Sequence, residues 1–295
     1  MDLSALISQI DPLNFTTVRV EPMYNDVKLG DATGFFVAGL LNGKANVWLI
    51  TNWHVLSGRN AGDPLKVLHS KGSLPNKLRL SLFLNLNQPE YKTSSQIELL
   101  RQQQTIELYA PNGQAAWYQH PSKSVYDVGA LNASPFVGRF LVHGINEITK
   151  QNDMAIQTGS TIFILGYPLG FSHFMDTPIW KRGSIASEPH LEEFQEQQKF
   201  GGRVVIDATT RQGMSGAPII MREKTHYLTE NGKVKRLANA TRWIGIYASR
   251  PDMPLALDGQ PDEDRRAEVG YMYKNGAALT VIQSGVRGPN FGELP

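Results

Sequence analysis

The chain has 295 residues, 41% of them hydrophobic, which is enough to bury the core of one large domain or two smaller ones. Its 29 basic and 27 acidic residues nearly cancel, and the lack of a dense Lys/Arg run argues against a nucleic-acid binder. Cysteine is absent, which excludes disulfides, zinc–thiolate sites and a cysteine nucleophile.

The chain begins with a short apolar pattern at helical spacing and then reads as β structure. Leu and Ile residues within 2–10 predict a helix that ends at Asp11-Pro12. Residues 277–284, bounded by Gly276 and Gly285, predict a second short helix. Between them, runs rich in β-branched and aromatic residues predict strands at 16–21, 33–40, 46–52, 78–86, 105–109, 115–118, 128–132, 161–165, 181–186, 203–208, 217–221, 243–248 and 270–273. This order, without long intervening helices, predicts an all-β architecture.

Three residues at the edges of predicted strands carry possible catalytic chemistry. His54 follows an apolar strand, Asp127 precedes another, and Ser215 lies in a Gly-x-Ser-Gly turn. Each has a commoner structural explanation, as a satisfied histidine, a strand-initiating turn residue or a hairpin turn. The order His, Asp, Ser is nevertheless that of the triad on chymotrypsin-type barrels. The turn can also direct the amides of Gly213 and Ser215 at one point, as an oxyanion pocket requires.

Several motifs extend this ordered set over residues 33 to about 248. They are Thr33-Gly-Phe-Phe-Val37, Ile50-Thr-Asn-Trp-His54-Val55, Asp127-Val-Gly-Ala-Leu131, Ile164-Leu-Gly-Tyr-Pro-Leu-Gly170, Lys181-Arg-Gly-Ser-Ile-Ala186, Gly213-Met-Ser215-Gly216-Ala-Pro218 and Trp243-Ile-Gly-Ile-Tyr247. Together they resemble trypsin-like serine peptidases of the chymotrypsin fold, in the style of the bacterial, disulfide-free branch that includes HtrA-type proteases. The resemblance implies two packed antiparallel six-stranded β-barrels. The expected divisions are an N-terminal helical segment at 1–12, a first barrel at 13–145 and a second at 146–295, with 13–285 as one peptidase unit.

The resemblance implies a serine endopeptidase that acts on peptide or protein substrates through an acyl-enzyme. Ser215 would be the nucleophile, His54 the base and Asp127 the residue that orients His54, with Gly213 and Ser215 forming the oxyanion hole. The alternative is a pseudoprotease that binds peptides by β-addition at the edge strand near Ala248. Esterase activity without proteolysis is a third possibility.

Asp153-Met-Ala-Ile156 competes with Asp127 for the aspartate role. It lies only 13 positions before Gly166, which is too short for the strand and return connection that the family places there, whereas Asp127 leaves 39. We therefore assign the role to Asp127.

Two sequence features bear on how the predicted enzyme is activated. Met214 stands where family members activated by a cleaved N-terminus have an aspartate, so the predicted enzyme is active without such cleavage or is gated by loop order or a partner. Extra length at 57–125 provides a candidate surface for a regulatory protein, although a lengthened hairpin is the simpler explanation. Residues 187–202 are expected to form a polar loop or a short exposed helix, and residues 250–267 a surface loop.

By resemblance, Thr209 forms the floor of the primary specificity pocket, and Ala248, Ser249 and Arg250 form one wall. No carboxylate stands at Thr209, so the residue before the cut is predicted not to be basic. Small or medium apolar side chains are expected, with Glu or Asp as the alternative if Arg250 points inward.

No cofactor or metal site is expected. The other histidines show no close metal-ligand pairing, and there is no Gly-x-Gly-x-x-Gly or Walker-type loop. The N-terminus has no basic leader signal and no apolar run reaches the length of a membrane span, so the sequence predicts a cytoplasmic protein.

Overall fold

The computed structural model describes residues 7–85, 101–191, 202–237, 239–250 and 268–293. Within these ranges the chain is mainly antiparallel β-sheet, and the all-β prediction is confirmed. Three α-helices lie wholly inside them: α1 (Trp53–Ser57), α2 (Ile145–Ile148) and α3 (Asn275–Ser284). None of the described helices is both long enough and apolar enough to span a membrane.

The N-terminal half forms a sheet of eight strands. They are β1 (Thr17–Tyr24), β2 (Val27–Lys28), β3 (Ala32–Leu41), β4 (Lys44–Thr51), β5 (Lys77–Phe83), β6 (Arg101–Glu107), β7 (Trp117–Gln119) and β8 (Gly129–Asn132). The order is β6-β5-β1-β3-β4-β8-β7, with β2 paired to β1. Its described pairings form an open path, which is compatible with the first barrel that the resemblance implies but does not show it closed.

The C-terminal half contains a closed six-stranded barrel and a small hairpin. The strands of this half are β9 (Thr161–Gly166), β10 (Ile179–Ile185), β11 (Arg203–Asp207), β12 (Pro218–Glu223), β13 (His226–Leu228), β14 (Val234–Arg236), β15 (Ala240–Tyr247) and β16 (Val269–Lys274). The barrel order is β10-β11-β16-β15-β12-β9, and β13 pairs with β14.

The two halves share a buried apolar layer. Phe35 and Ile50 of the first sheet are fully buried in one cluster with Trp243 and Ile246 of the barrel. The rings of Phe35 and Trp243 meet edge to face with centroids 5.4 Å apart. Phe36, on the other face of β3, is buried in a second cluster, so both faces of the strand are covered and residues 32–37 are all buried instead of alternating. This shared layer fixes the two halves relative to each other beneath the cleft.

All thirteen predicted strands overlap an observed strand, and the C-terminal helix is confirmed. The prediction missed β2, β13 and β14, which are two or three residues long and largely exposed, so they carry little apolar pattern. Of the predicted N-terminal helix, only Ile7 and Ser8 are described as helical, and residues 2–6 lie outside the described residues. Of the predicted loops at 187–202 and 250–267, residues 192–201 and 251–267 lie outside the described residues as well, as do residues 86–100 of the insertion at 57–125.

Candidate active site

His54 lies on a short helix that follows a central strand. β4 ends at Thr51, and α1 starts two residues later and closes with Gly58 N–H donating to His54 O at 2.9 Å. Gly58 has a φ of 70° and ends the helix in the left-handed conformation. This five-residue helix places the imidazole at the end of the central strand β4, where the His54 side chain remains 20% exposed.

Asp127 reaches His54 because their strands are neighbours. β4 and β8 pair with Thr51 opposite Gly129, so Asp127, two residues before β8, lies beside the start of α1. The Asp127 Oδ2 atom lies 2.7 Å from His54 Nδ1, and the His54 backbone N–H donates to Asp127 Oδ1 at 2.8 Å. Asn52 Nδ2 also donates to the Asp127 carbonyl at 2.6 Å. Both carboxylate oxygens therefore hold His54, and its Nε2 atom is left for the cleft.

The pKa of His54 reflects two opposing effects. Burial favours the neutral imidazole and lowers the pKa, whereas the charge of Asp127 and its hydrogen bond raise it. The net effect is a pKa above the ordinary histidine value.

The competing carboxylate, Asp153, lies elsewhere. It accepts a hydrogen bond from Tyr227 Oη at 3.0 Å and pairs with Lys235 Nζ at 2.5 Å, on the β13–β14 hairpin. The structure brings Asp127, and not Asp153, to His54.

Ser215 lies in a tight turn between β11 and β12, and the turn requires glycine on both sides. Gly213 and Gly216 have φ values of 92° and 84°. A Cβ on Gly213 would collide with Tyr167 O, and one on Gly216 would collide with Thr33 O and with the Thr51 side chain. The backbone of the serine turn therefore packs directly on both halves of the molecule.

The turn directs two amides away from internal partners. Gln212 O accepts from Leu169 N–H at 2.6 Å, and because the C=O and N–H of a trans peptide point in opposite directions, the Gly213 N–H faces the other way. Within the described residues neither the Gly213 nor the Ser215 amide makes a hydrogen bond, and the Ser215 hydroxyl makes none either. Two free amides beside a free hydroxyl can bind an anionic oxygen.

Comparison with known proteins decides the family. The model of the trypsin-like peptidase domain matches residues 32–225, which is most of the described chain. The chain belongs to this family. No curated protein sequence matches it.

Solved structures similar to this peptidase are distant in sequence. The active form of the Rv3671c protease from M. tuberculosis is 16% identical, with 94% of this chain and 83% of that one covered and a TM-score of 0.41. The MamO protease domain from Magnetospirillum magneticum is 10% identical, with 92% and 98% covered and a TM-score of 0.43. A serine endoprotease from Yersinia pestis is 12% identical, with 92% and 65% covered and a TM-score of 0.43.

Two cavities open on either side of Ser215 in this trypsin-like peptidase. We call the first, about 460 Å³, the apolar cavity, since its walls include Pro22, Leu29, Val55, Leu68 and Pro75. The second, about 430 Å³, we call the cationic cavity. It is lined by His54, Asn60, Ala61, Gly62, Leu68, Asp127, Arg203, Ser215, Ala248, Ser249, Arg250, Tyr271 and Tyr273.

The residues expected to form the specificity pocket separate into two places. Ala248, Ser249 and Arg250 line the cationic cavity beside Ser215. Thr209 is in the lining of neither cavity, and its hydroxyl donates to Glu268 Oε2 at 3.4 Å. Its neighbour Thr210 is buried and bonds to the buried Tyr247 Oη at 2.6 Å. In this chain, therefore, the space next to Thr210 is filled by a tyrosine.

Sequence reasoning missed Thr33 as part of the site. Its backbone N–H donates to Ser215 O at 2.9 Å, and its hydroxyl donates to Gly213 O at 2.7 Å while accepting from Tyr167 N–H at 3.1 Å. Thr33 is fully buried and links the first sheet to the serine turn. The available signal was a lone hydroxyl in an otherwise apolar strand, which needs an internal partner.

Over the described residues, no group of three or more His, Asp or Glu side chains is arranged to hold a metal ion.

Proposed function

We propose that this trypsin-like peptidase is a serine endopeptidase with Ser215 as nucleophile, His54 as general base and Asp127 as the orienting carboxylate. The observation that carries the proposal is the convergence of all three side chains on one cavity, with both oxygens of Asp127 already bonded to His54. The residues come from both halves of the molecule, so the substrate lies in the cleft between them.

In this mechanism Ser215 Oγ attacks the scissile carbonyl carbon, and its proton passes to His54 Nε2. The new oxyanion accepts hydrogen bonds from the Gly213 and Ser215 amides, and removing one such donor typically costs roughly 10²–10³ in turnover. The C–N bond then breaks and His54 gives the proton to the leaving amine. A water molecule, activated by His54, hydrolyses the acyl-enzyme by the same steps.

The enzyme is further proposed to act without N-terminal cleavage. Met214 is fully buried in the apolar core of the barrel, and no carboxylate stands there to pair with a new α-amino group. The serine turn is instead held by Leu169 N–H on Gln212 O and by the Thr33 hydroxyl on Gly213 O. Both contacts are internal to the chain, so any regulation would act through the loop carrying Leu169 or through a partner that contacts it.

Covalent labelling tests the proposal directly. The protein should react with a fluorophosphonate probe and hydrolyse peptides, and Ser215→Ala should remove both, with turnover falling on the order of 10⁶-fold. Ser284→Ala, on α3 outside the cleft, serves as the matched control and should retain both. Hydrolysis by Ser215→Ala within tenfold of the wild type contradicts the assignment, and peptide binding without labelling would establish the pseudoprotease alternative.

A further inference from the structure

The cationic cavity carries two arginines next to the nucleophile. Arg203 lies at the start of β11 and Arg250 follows the end of β15, and both line the cavity together with Ser215. Neither guanidinium forms an ion pair with any described residue. The cavity thus presents two positive charges that the described protein leaves without a counter-charge.

Arg203 is held in place by two aromatic residues. Its Nε donates to Tyr273 Oη at 3.1 Å, and Tyr273 Oη donates in turn to Val125 O at 3.1 Å. The guanidinium carbon also lies 5.3 Å from the Tyr271 ring centroid and 5.8 Å from that of Tyr273. Among the described residues these contacts use only Nε of Arg203, and no described group bonds its two amino groups, which can donate to a planar, two-oxygen acceptor.

Among the described lining residues, Asp127 alone carries a carboxylate, and that carboxylate is already hydrogen-bonded. Asp127 bonds the His54 ring with one oxygen and the His54 amide with the other. It therefore cannot also neutralise Arg203 or Arg250 without releasing His54. A carboxylate from outside would be the first acceptor to match these arginines.

The apolar cavity provides an internal contrast. Its acidic lining residue, Asp31, pairs with Lys28 Nζ at 2.7 Å, and its described lining includes six aliphatic or proline side chains and no arginine or lysine. The two cavities flanking Ser215 thus differ in charge.

We propose that the cationic cavity binds a Glu or Asp side chain of the substrate close to the scissile bond. Arg203 is the main specificity-determining residue, and Arg250 makes a smaller contribution to binding the same carboxylate. The inference rests on the proposed function, because the substrate backbone must reach Ser215. Arg250 was the sequence-based reason for considering an acidic residue, and Arg203 adds a pre-positioned donor that the sequence did not indicate.

Cleavage kinetics test the proposal. Positional scanning with a peptide library identifies the site of acid preference, and two peptides that differ only as Glu or Gln at that site are then compared. The wild type should favour Glu by at least about tenfold in kcat/KM, mainly through KM, since a charge-assisted hydrogen bond replaces a neutral one. Raising the ionic strength should reduce this ratio, and this measurement needs no variant.

Substitutions of the two arginines test whether the preference for Glu arises in the cationic cavity. Arg203→Gln should bring the Glu/Gln ratio close to one, Arg203→Lys should give an intermediate ratio, and Arg250→Gln should lower it less. Arg139→Gln, a control arginine that lies outside both cavities, should leave the ratio unchanged. Thermal unfolding checks that each variant is folded.

Equilibrium binding keeps the test independent of catalysis. Fluorescence anisotropy of the labelled Glu and Gln peptides on Ser215→Ala should show the same preference in Kd. If the wild type neither cleaves nor labels, the proposed function fails while the binding ratio still decides the cavity. No acid preference at any position, or a preference that survives both Arg203→Gln and Arg250→Gln, overturns the inference.

Discussion

The two walls of the cleft are built by different means. On the first-sheet wall, His54 is held by a side chain, since Asp127 contacts both its ring and its amide. On the barrel wall, the serine turn is held by backbone contacts, with Leu169 N–H on Gln212 O and two glycines packed against neighbouring carbonyls. In the proposed mechanism the first-sheet wall provides the residue that transfers the proton, and the barrel wall sets the direction of the two amides that bind the oxyanion. Substitutions on the two walls should therefore lower activity for different reasons and change its pH dependence differently.

The largest loss of turnover is expected from a substitution on the first-sheet wall. Asp127→Asn keeps the shape of the side chain but removes the charge that fixes the His54 tautomer, and turnover should fall roughly 10⁴-fold. Asp153→Asn is the matched control, because Asp153 pairs with Lys235 instead, and its turnover should stay near the wild-type value. Steady-state peptide hydrolysis measures both. An inactive Asp153→Asn alongside an active Asp127→Asn would reverse the assignment.

The sequence predicted the first wall better than the second. His54 and Asp127 stand at strand ends whose apolar patterns are clear, so their positions followed from the strands. Gly213 and Ser215 were placed by a short turn motif that has distinctive residues. The contacts of Thr33 and Leu169 with that turn were not predicted, since they join segments over 40 residues apart. Leu169 contributes a backbone N–H, which leaves no residue-type signal, and the hydroxyl of Thr33 indicates that it needs a partner without indicating which one.

The cationic cavity illustrates the same limit. Arg250 was identified from its place after β15, but Arg203 enters the cavity only because β11 pairs with β16, with Arg203 opposite Tyr273. The sequence pattern predicted both strands and gave no information on which strands would be neighbours. Thr209 was assigned to the pocket by resemblance alone. It lies in the lining of neither cavity, and the side chain of Tyr247 occupies the space next to Thr210.

Gly213→Ala should give the next largest effect, on the barrel wall. A Cβ there meets Tyr167 O in a residue with φ of 92°, so the turn must shift and the Gly213 amide must move. Turnover should fall roughly 10²–10³-fold, as for loss of one oxyanion donor. Gly232→Ala is the control for backbone strain alone, because its φ is 77° but nothing lies within 4 Å of the added Cβ. Equal losses of turnover in the two variants would contradict the role of the Gly213 amide.

Thr33→Val should weaken the link between the two walls. It keeps the volume but removes the hydroxyl that bonds Gly213 O and Tyr167 N–H, which leaves two buried groups unpaired. We expect kcat to fall about tenfold, which corresponds to about 1.4 kcal/mol, and KM to change little, because an unpaired buried polar group costs about 1–3 kcal/mol and both groups lie at the serine turn. Thr33→Ser retains the hydroxyl and should restore most of kcat. A loss of the same size in Thr33→Ser would show that packing, and not the hydrogen bonds, matters at this position.

The smallest expected effect is a shift in the pH dependence of activity, which should occur in a variant of the first-sheet wall and not in a variant of the barrel wall. His54 must be neutral to accept the Ser215 proton, so activity should rise with pH through the His54 pKa. Burial alone would lower that pKa, but Asp127 raises it overall, so the acidic limb of kcat/KM should have its midpoint above the ordinary histidine value of about 6.5. In Asp127→Asn the raising charge is gone while burial remains, so the residual activity should show a lower midpoint. Gly213→Ala leaves the His54–Asp127 pair intact and should keep the wild-type midpoint despite its low rate. A midpoint that moves equally in both variants would mean that the two walls do not act separately.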